Sequence, residues 1–354
     1  MHKVTFNNKP APFYTELKKR VDQYFEENQI SKTGNFRLYF KSFVLISTVI
    51  ISYTWLLFFT PPWYLSIFFA IILGLSLTFV GFNVMHDACH GSYSKNKWVN
   101  RIMGLSMNAL GSNAQIWKLK HNIIHHTYTN VDGIDDDIEL EPLVRQCESQ
   151  PKRKMHKYQH LYMFVLYSLA TFFWSFFTDF KKYFLKKINN TPLNNFELRH
   201  HILFWVSKLA YGVFYIALPI YMVGFQYWLV GFIIVNCTMG LTLSLVFQTA
   251  HVVEITHFDE ANLGDKRIED EWAIHQIKTT ADYSAGNKFL TWCLGGLNYQ
   301  VIHHLFPRIS HIHYPNIQKI VKETCDEFNV KYLYFNTFRA AIISHYRFMR
   351  TLGN

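Results

Sequence analysis

The sequence predicts an all-α integral membrane fold, with four transmembrane helices in two hairpins and a cytoplasmic helical cap. Three observations carry this expectation. Half of the 354 residues are hydrophobic and only 17% are charged, where an average soluble domain has about a quarter charged. The deficit is concentrated: Ser42 to His86 and Leu209 to Val253 contain no Asp, Glu, Lys or Arg at all. A bilayer-spanning helix needs roughly 20 apolar residues, so each run holds two spans. Finally, each run is interrupted near its middle, by Pro61-Pro62 in the first and by Gly224-Phe225-Gln226 in the second.

Proline removes a backbone donor and ends helices, so Thr60 to Trp63 reads as a tight turn between antiparallel spans. The spans fall at about 40–59, 64–85, 201–223 and 227–250. Lys3, Lys9, Lys18, Lys19, Arg20, Lys32, Arg37 and Lys41 precede the first span, and the two turns carry no basic residue. Basic residues stay on the cytoplasmic side, which places both termini and the middle loop there. Residues 1–39 form an N-terminal segment in which Pro12 to Glu27 reads as an amphipathic helix on the membrane surface. The main domain covers 40–330, and 331–354 reads as a cytoplasmic tail. A third apolar stretch, Tyr158 to Thr178, would be a fifth span by hydropathy alone. A fifth crossing would set later histidines on the other side from earlier ones, so 158–178 is expected in the interface or buried in protein.

The net charge of +10 suits anionic headgroups and an acidic electron carrier. No basic, aromatic-interleaved module suggests nucleic acid. Five cysteines without C-x-x-C spacing exclude a disulfide framework or a zinc ribbon, and no signal-peptide pattern opens the chain.

The histidines carry the chemistry. His86 and His90 lie four apart in HDACH, His121, His125 and His126 form HNIIHH, and Gln300, His303 and His304 form QVIHH. Residues four apart share a helix face, whereas an adjacent pair diverges by about 100°. His251 ends the fourth span as His86 ends the second. Imidazole suits iron, zinc or copper, and eight such rings exceed one mononuclear centre, so two metal ions fit the number. A carboxylate-bridged bundle needs Glu-x-x-His on two helices and two further glutamates. Glu197 with His200 and Glu254 with His257 match that spacing, but the spans contain no carboxylate to complete it. A metal transporter would place polar ligands inside the spans, which are nearly free of ionisable groups.

HDACHG, HNIIHHTYTN and NYQVIHHLFP resemble, in order and separation, the three histidine boxes of the membrane fatty acid desaturase family, over roughly residues 40–330. Gln300 in place of a first histidine resembles the branch of linoleoyl-CoA-type and other front-end desaturases. The resemblance implies a non-haem site of two iron ions, with His86, His90, His121, His125, His126, His303 and His304 as matching ligands. His251 is similar to the additional ligand after the last span of animal acyl-CoA desaturases. Two departures stand out. Phe247 and Gln248 occupy the place where those enzymes have an asparagine, and the second box has three residues before its histidine pair where many relatives have two.

By the same resemblance the chain removes two vicinal hydrogens from a long-chain acyl group, on coenzyme A or on a lipid, using O2. A sister oxygenase, a fatty acyl hydroxylase or a carotenoid-modifying enzyme, shares that iron chemistry. Gln300, Asp87, Asn122, Asp132, Asp136 and Glu254, with Asp135 and Asp137, are candidates to ligate or to hold ring nitrogens. Trp117, Tyr128 and Trp272 are candidates to line an acyl tunnel. No G-x-G-x-x-G for a nicotinamide or flavin occurs, and no His-Pro-Gly-Gly of a fused cytochrome b5 domain. Electrons are therefore expected from a separate ferredoxin or cytochrome b5 with its reductase.

Overall fold

The computed structural model describes residues 4–59, 61–189, 191–193, 196–260 and 267–354. Among these, four helices are long and apolar enough to cross a membrane: α2 (Phe36–Phe58), α3 (Trp63–His90), α7 (Leu198–Val223) and α8 (Phe225–His251). They follow a shorter helix, α1 (Pro12–Glu27). The expected turn at 60–63 falls between α2 and α3, with Thr60 itself outside the described residues. α3 packs against both α2 and α8 and so forms the centre of the bundle. It also runs further than expected, because no proline or glycine stops it before Gly91, which takes the left-handed conformation at φ +78°. That extension puts His86 and His90 on the helix itself.

Of four π-helical turns among the described residues, the first two adjoin the histidines, at Gly81–Met85 just before His86 and at Leu119–His125 in the second box. A π turn is what a one-residue insertion into an α-helix produces. The extra residue of the second box is absorbed this way: the His126 N–H donates to the His121 carbonyl at 3.1 Å, five residues back. His121, His125 and His126 therefore still face one interior.

The expected 158–178 segment is a bent pair, α5 (Lys154–Ser168) and α6 (Ala170–Leu185), turned by 59°, and the two pass for a span only if taken as one. α5 lies against α8. α6 is tied to α7 by an ion pair between the buried Asp179 and the largely covered Lys208 at 3.0 Å, which also engages Ser112 and the carbonyls of Gly111 and Ser175.

The remaining helices build the cap. Among them are α4 (Ala114–Lys118), which leads into the second π turn, α9 (Trp272–Thr279), α10 (Gln300–Leu305), α11 (Tyr314–Glu327) and α12 (Phe338–Gly353). Two-residue strand pairs pin distant segments together, among them Thr5–Phe6 with Arg267–Ile268 and Asp282–Tyr283 with Tyr334–Phe335. Two expected segments turn out to pack on protein, which corrects the reading of the first. The apolar face of α1 is not turned to the membrane: Phe13, Leu17, Val21 and Phe25 are buried in one cluster with Ile317, Val321 and Cys325 of α11 and Ile302 of α10. The 331–354 segment packs on the protein as well: α12 buries Ala341, Met349 and Leu352 and sets His345 Nε2 2.9 Å from the Tyr167 hydroxyl. In both cases an amphipathic stripe finds a protein partner, which periodicity alone does not reveal.

Breaking a buried ion pair by removing one partner costs about 3–5 kcal/mol, because the other charge is left uncompensated. Asp179→Ala is therefore expected to lower the melting temperature in detergent markedly, and adding Lys208→Met to recover part of the loss. A melting curve unchanged in the single variant would refute the role given to this pair.

Candidate metal centre

Four separate elements deliver histidines to one place. α3 brings His86 and His90, the second π turn brings His121, His125 and His126, α8 ends in His251, and α10 carries His303 and His304. All eight are buried. Their ring nitrogens fall into overlapping groups within 4.8 Å: His86, His90, His121 and His303 in one, His125, His251 and His304 in another, and His126 with His303 and His304 between them. The rings thus surround two neighbouring foci. His86 and His303 have centroids 4.4 Å apart, His126 and His304 4.4 Å, and His125 and His251 4.8 Å.

The other edge of four rings is held from outside. His125 Nδ1 lies 3.0 Å from Asp135, His304 Nδ1 2.9 Å from Gln276 Oε1, His303 Nδ1 3.1 Å from the Tyr314 hydroxyl and His251 Nδ1 3.3 Å from the Thr279 carbonyl. Each Nδ1–H is thereby used, and the Nε2 lone pair is left to point inward. The Nε2 atoms of His86, His90, His125, His251, His303 and His304 are buried without a hydrogen-bond partner among the described residues. A buried, unsatisfied polar atom costs roughly 1–3 kcal/mol. Several lone pairs converging in one interior fit cations that accept them, so the donor set suits a pair of nitrogen-preferring metal ions.

Burial holds His121, His126, His303 and His304 well below the ordinary imidazole range, and the neighbouring rings push the same way. The rings are neutral, as ligation requires. His125 moves the other way: burial opposes its protonation, but Asp135 and Asp137 outweigh it. A histidine whose Nδ1–H is given to a carboxylate is a more basic ligand through Nε2.

Below His86 lies a narrow apolar cavity, walled by Phe82 and Met85 of α3, Met107, Trp117, and Leu243 and Phe247 of α8. Phe247 closes on His121 at 6.0 Å between centroids. Its neighbour Gln248 turns away and accepts from Gln146 at 2.6 Å.

A family model described as fatty acid desaturase matches residues 61–336. The chain belongs to that family. The sn-1 linoleoyl-lipid 6-desaturase of Arthrospira platensis is 38% identical over 361 residues, 99% of this chain and 95% of its own. The protein of the same description from Synechocystis is 33% identical, with 99% and 98% covered. The acyl-lipid (8-3)-desaturase of Physcomitrium patens is 34% identical, with 96% and 72% covered.

The remaining candidates of this desaturase chain divide by position. Trp117 lines the cavity below His86 and stacks on His121 at 4.4 Å. Tyr128 and Trp272 lie outside that lining: Tyr128 stacks on Phe6, and Trp272 donates to the His126 carbonyl at 3.1 Å and packs on Tyr14. Gln300 is fully buried, with both amide atoms unpartnered among the described residues, one turn before His303 and His304 on the same face. Asp87 and Asn122 hold segments rather than rings of the cluster. Asp87 accepts from Ser310 at 2.7 Å and from His311 Nδ1 at 3.0 Å, and Asn122 donates to the Cys89 carbonyl at 2.9 Å. Asp136 pairs with Lys120 and Lys182, and Asp132 accepts from Ser149 and Gln150. Glu254 is exposed, and Glu197 pairs with Arg199 at the surface, so neither glutamate reaches the cluster. Gln276, Thr279 and Tyr314 were not singled out by the sequence, since none belongs to a box or stands at a telling interval from one.

Partners that orient a metal-binding histidine are typically worth 10–100-fold in metal affinity. Gln276→Leu, which leaves His304 Nδ1 only the longer contact to the Thr129 hydroxyl at 3.2 Å, is expected to lower metal retention by about that factor. Metal content after graded chelator treatment measures it, and retention equal to the parent would count against this role.

Proposed function

We propose that this chain is an O2-dependent acyl-lipid desaturase that inserts a cis double bond near the carboxyl end of a long acyl chain, using two non-haem iron ions. The observation that carries the reading is the paired foci of inward imidazole nitrogens at the head of an apolar cavity between spans. His86, His90, His121 and His303 are assigned to one ion and His125, His251 and His304 to the other, with His126 between. Bound iron supplies the oxidising power to take hydrogen from an unactivated methylene, which no side chain has. The protein's part is to place and protect. Asp135, Gln276, Tyr314 and the Thr279 carbonyl fix the rings. Phe82, Met85, Trp117 and Phe247 give the acyl chain a dry wall at His86, which keeps water from the reacting carbons.

The acyl-lipid form of the substrate and attack at carbon six are taken from the two relatives that match end to end. The balance needs two electrons and two protons per O2, giving two waters together with the two substrate hydrogens. We assign the electrons to a separate ferredoxin or cytochrome b5 with its reductase, docking on the cap. The cap and both termini are assigned to the cytoplasmic side from the placement of the basic residues.

Expression in a host of known lipid composition tests this directly. New products two hydrogens lighter are expected, with the added double bond mapped by mass spectrometry to carbon six of lipid-esterified chains. Products heavier by one oxygen would instead establish the hydroxylase reading. His303→Ala is expected to remove at least 99% of product, roughly the 10²-fold loss of a displaced reacting group, while the protein remains in the membrane fraction. Full activity in that variant takes His303 out of the ligand set.

A further inference from the structure

The cavity below His86 has a volume of only about 30 Å³, close to the share of one water in the liquid. A long acyl chain cannot end there. A second, larger cavity lies in the bundle between α2 and α7, lined by Val49, Ile50 and Tyr53 from the first and Ala210, Tyr211 and Phe214 from the second. Its volume of about 520 Å³ lies within the roughly 300–1,000 Å³ of ligand sites. Ile50 is 60% exposed and Phe214 54%, so its outer lip faces hydrocarbon. The Tyr53 hydroxyl donates to the Phe214 carbonyl and fastens the two helices across it.

The two cavities share a wall. Leu110 lines the first, and Asn108 and Ala109 line the second. Between them Gly111 adopts φ +92°, and a Cβ there would fall 2.5 Å from Ser175 Oγ, on the first cavity, and 2.7 Å from the Tyr211 ring, on the second. The two cavities approach this closely because this residue has no side chain. Depth agrees as well. Val49 lines the groove, Tyr53 and Tyr215 line it too, and all three pack with Leu73 and Leu77 of α3. Those leucines are nine to thirteen residues from His86, about 14–20 Å along a helix. Half of a bilayer's hydrocarbon core is about 15 Å, the depth that one lipid chain covers.

We propose that the groove between α2 and α7 receives the methyl-terminal part of the acyl chain, which passes His86 and the Leu110–Tyr211 wall and leaves the protein sideways into lipid. This rests on the desaturase reading. Passage requires Leu110 and Tyr211 to rotate apart. A chain whose far end is not stopped by a closed wall is positioned from its carboxyl side, and chains of different length are accepted.

The test uses the full chain in membranes of a host fed acyl chains of fourteen to twenty carbons. Ala210→Trp and, independently, Val49→Trp fill the groove from opposite helices. Each is expected to shift the ratio of long-chain to short-chain product by roughly tenfold or more toward short chains. A lipid acyl chain carrying a photoreactive diazirine at its methyl end is expected to crosslink to α2 or α7, and less so in either variant. The proposal is overturned if the product ratio is unchanged in both variants, if crosslinks map only to the walls of the first cavity, or if labelling of α2 and α7 persists undiminished in the filled variants, as for bulk lipid. A parent that crosslinks as expected but forms no double bond at any length sinks the desaturase reading instead.

Discussion

Unshared lone pairs of buried imidazoles govern this molecule. Six Nε2 atoms, on His86, His90, His125, His251, His303 and His304, converge without a donor, an arrangement that burial makes costly. Much of the surrounding structure serves to keep it assembled. Asn122 ties the second box to the first through the Cys89 carbonyl, Asp87 ties the first to the loop that leaves the third, and Asn130, at φ +57°, donates to the carbonyl of His251. The boxes are thus linked to one another by side chains that touch no ring of the cluster.

The membrane imposes the second constraint. Spans without charge cannot position a polar centre internally, so the histidines gather where α3 and α8 end and the cap begins. One exception among the described residues is Lys208 with Asp179. There the charge is tolerated because two carbonyls and Ser112 complete its shell, and the pair locks the bent α6 against α7 beside both cavities. An apolar contact would hold the same helices without fixing their register so narrowly.

Much of this was legible in the sequence, for reasons that can be named. Runs without charge give spans, and intervals of four and five between histidines give a shared face, so all eight rings of the cluster could be named from HDACH, HNIIHH, QVIHH and the end of the last span. What was not legible depends on segments far apart in the chain. Gln276 reads as an ordinary residue of an ordinary helix until α9 is laid beside α10. The stripe of α1 fits a membrane surface or a protein face equally well, and only the matching stripe of α11 decides between them. Aromatic residues near a box were equally ambiguous: Trp117 meets the cavity, whereas Trp272 spends its indole N–H on a backbone carbonyl.

The helix of the third box is six residues long and stands on contacts from elsewhere: its Val301 N–H is taken by Asp282, a carboxyl that burial pushes up to about 6, and Tyr332 and Gln318 complete the grip on that carboxyl. His303 and His304 between them belong to both foci. During synthesis, then, neither focus can be closed until α10 has emerged from the ribosome, long after the spans are in the bilayer. Metal loading is by this arrangement a late event in biogenesis, and a chain stalled before α10 would reside in the membrane without the histidines that complete both foci.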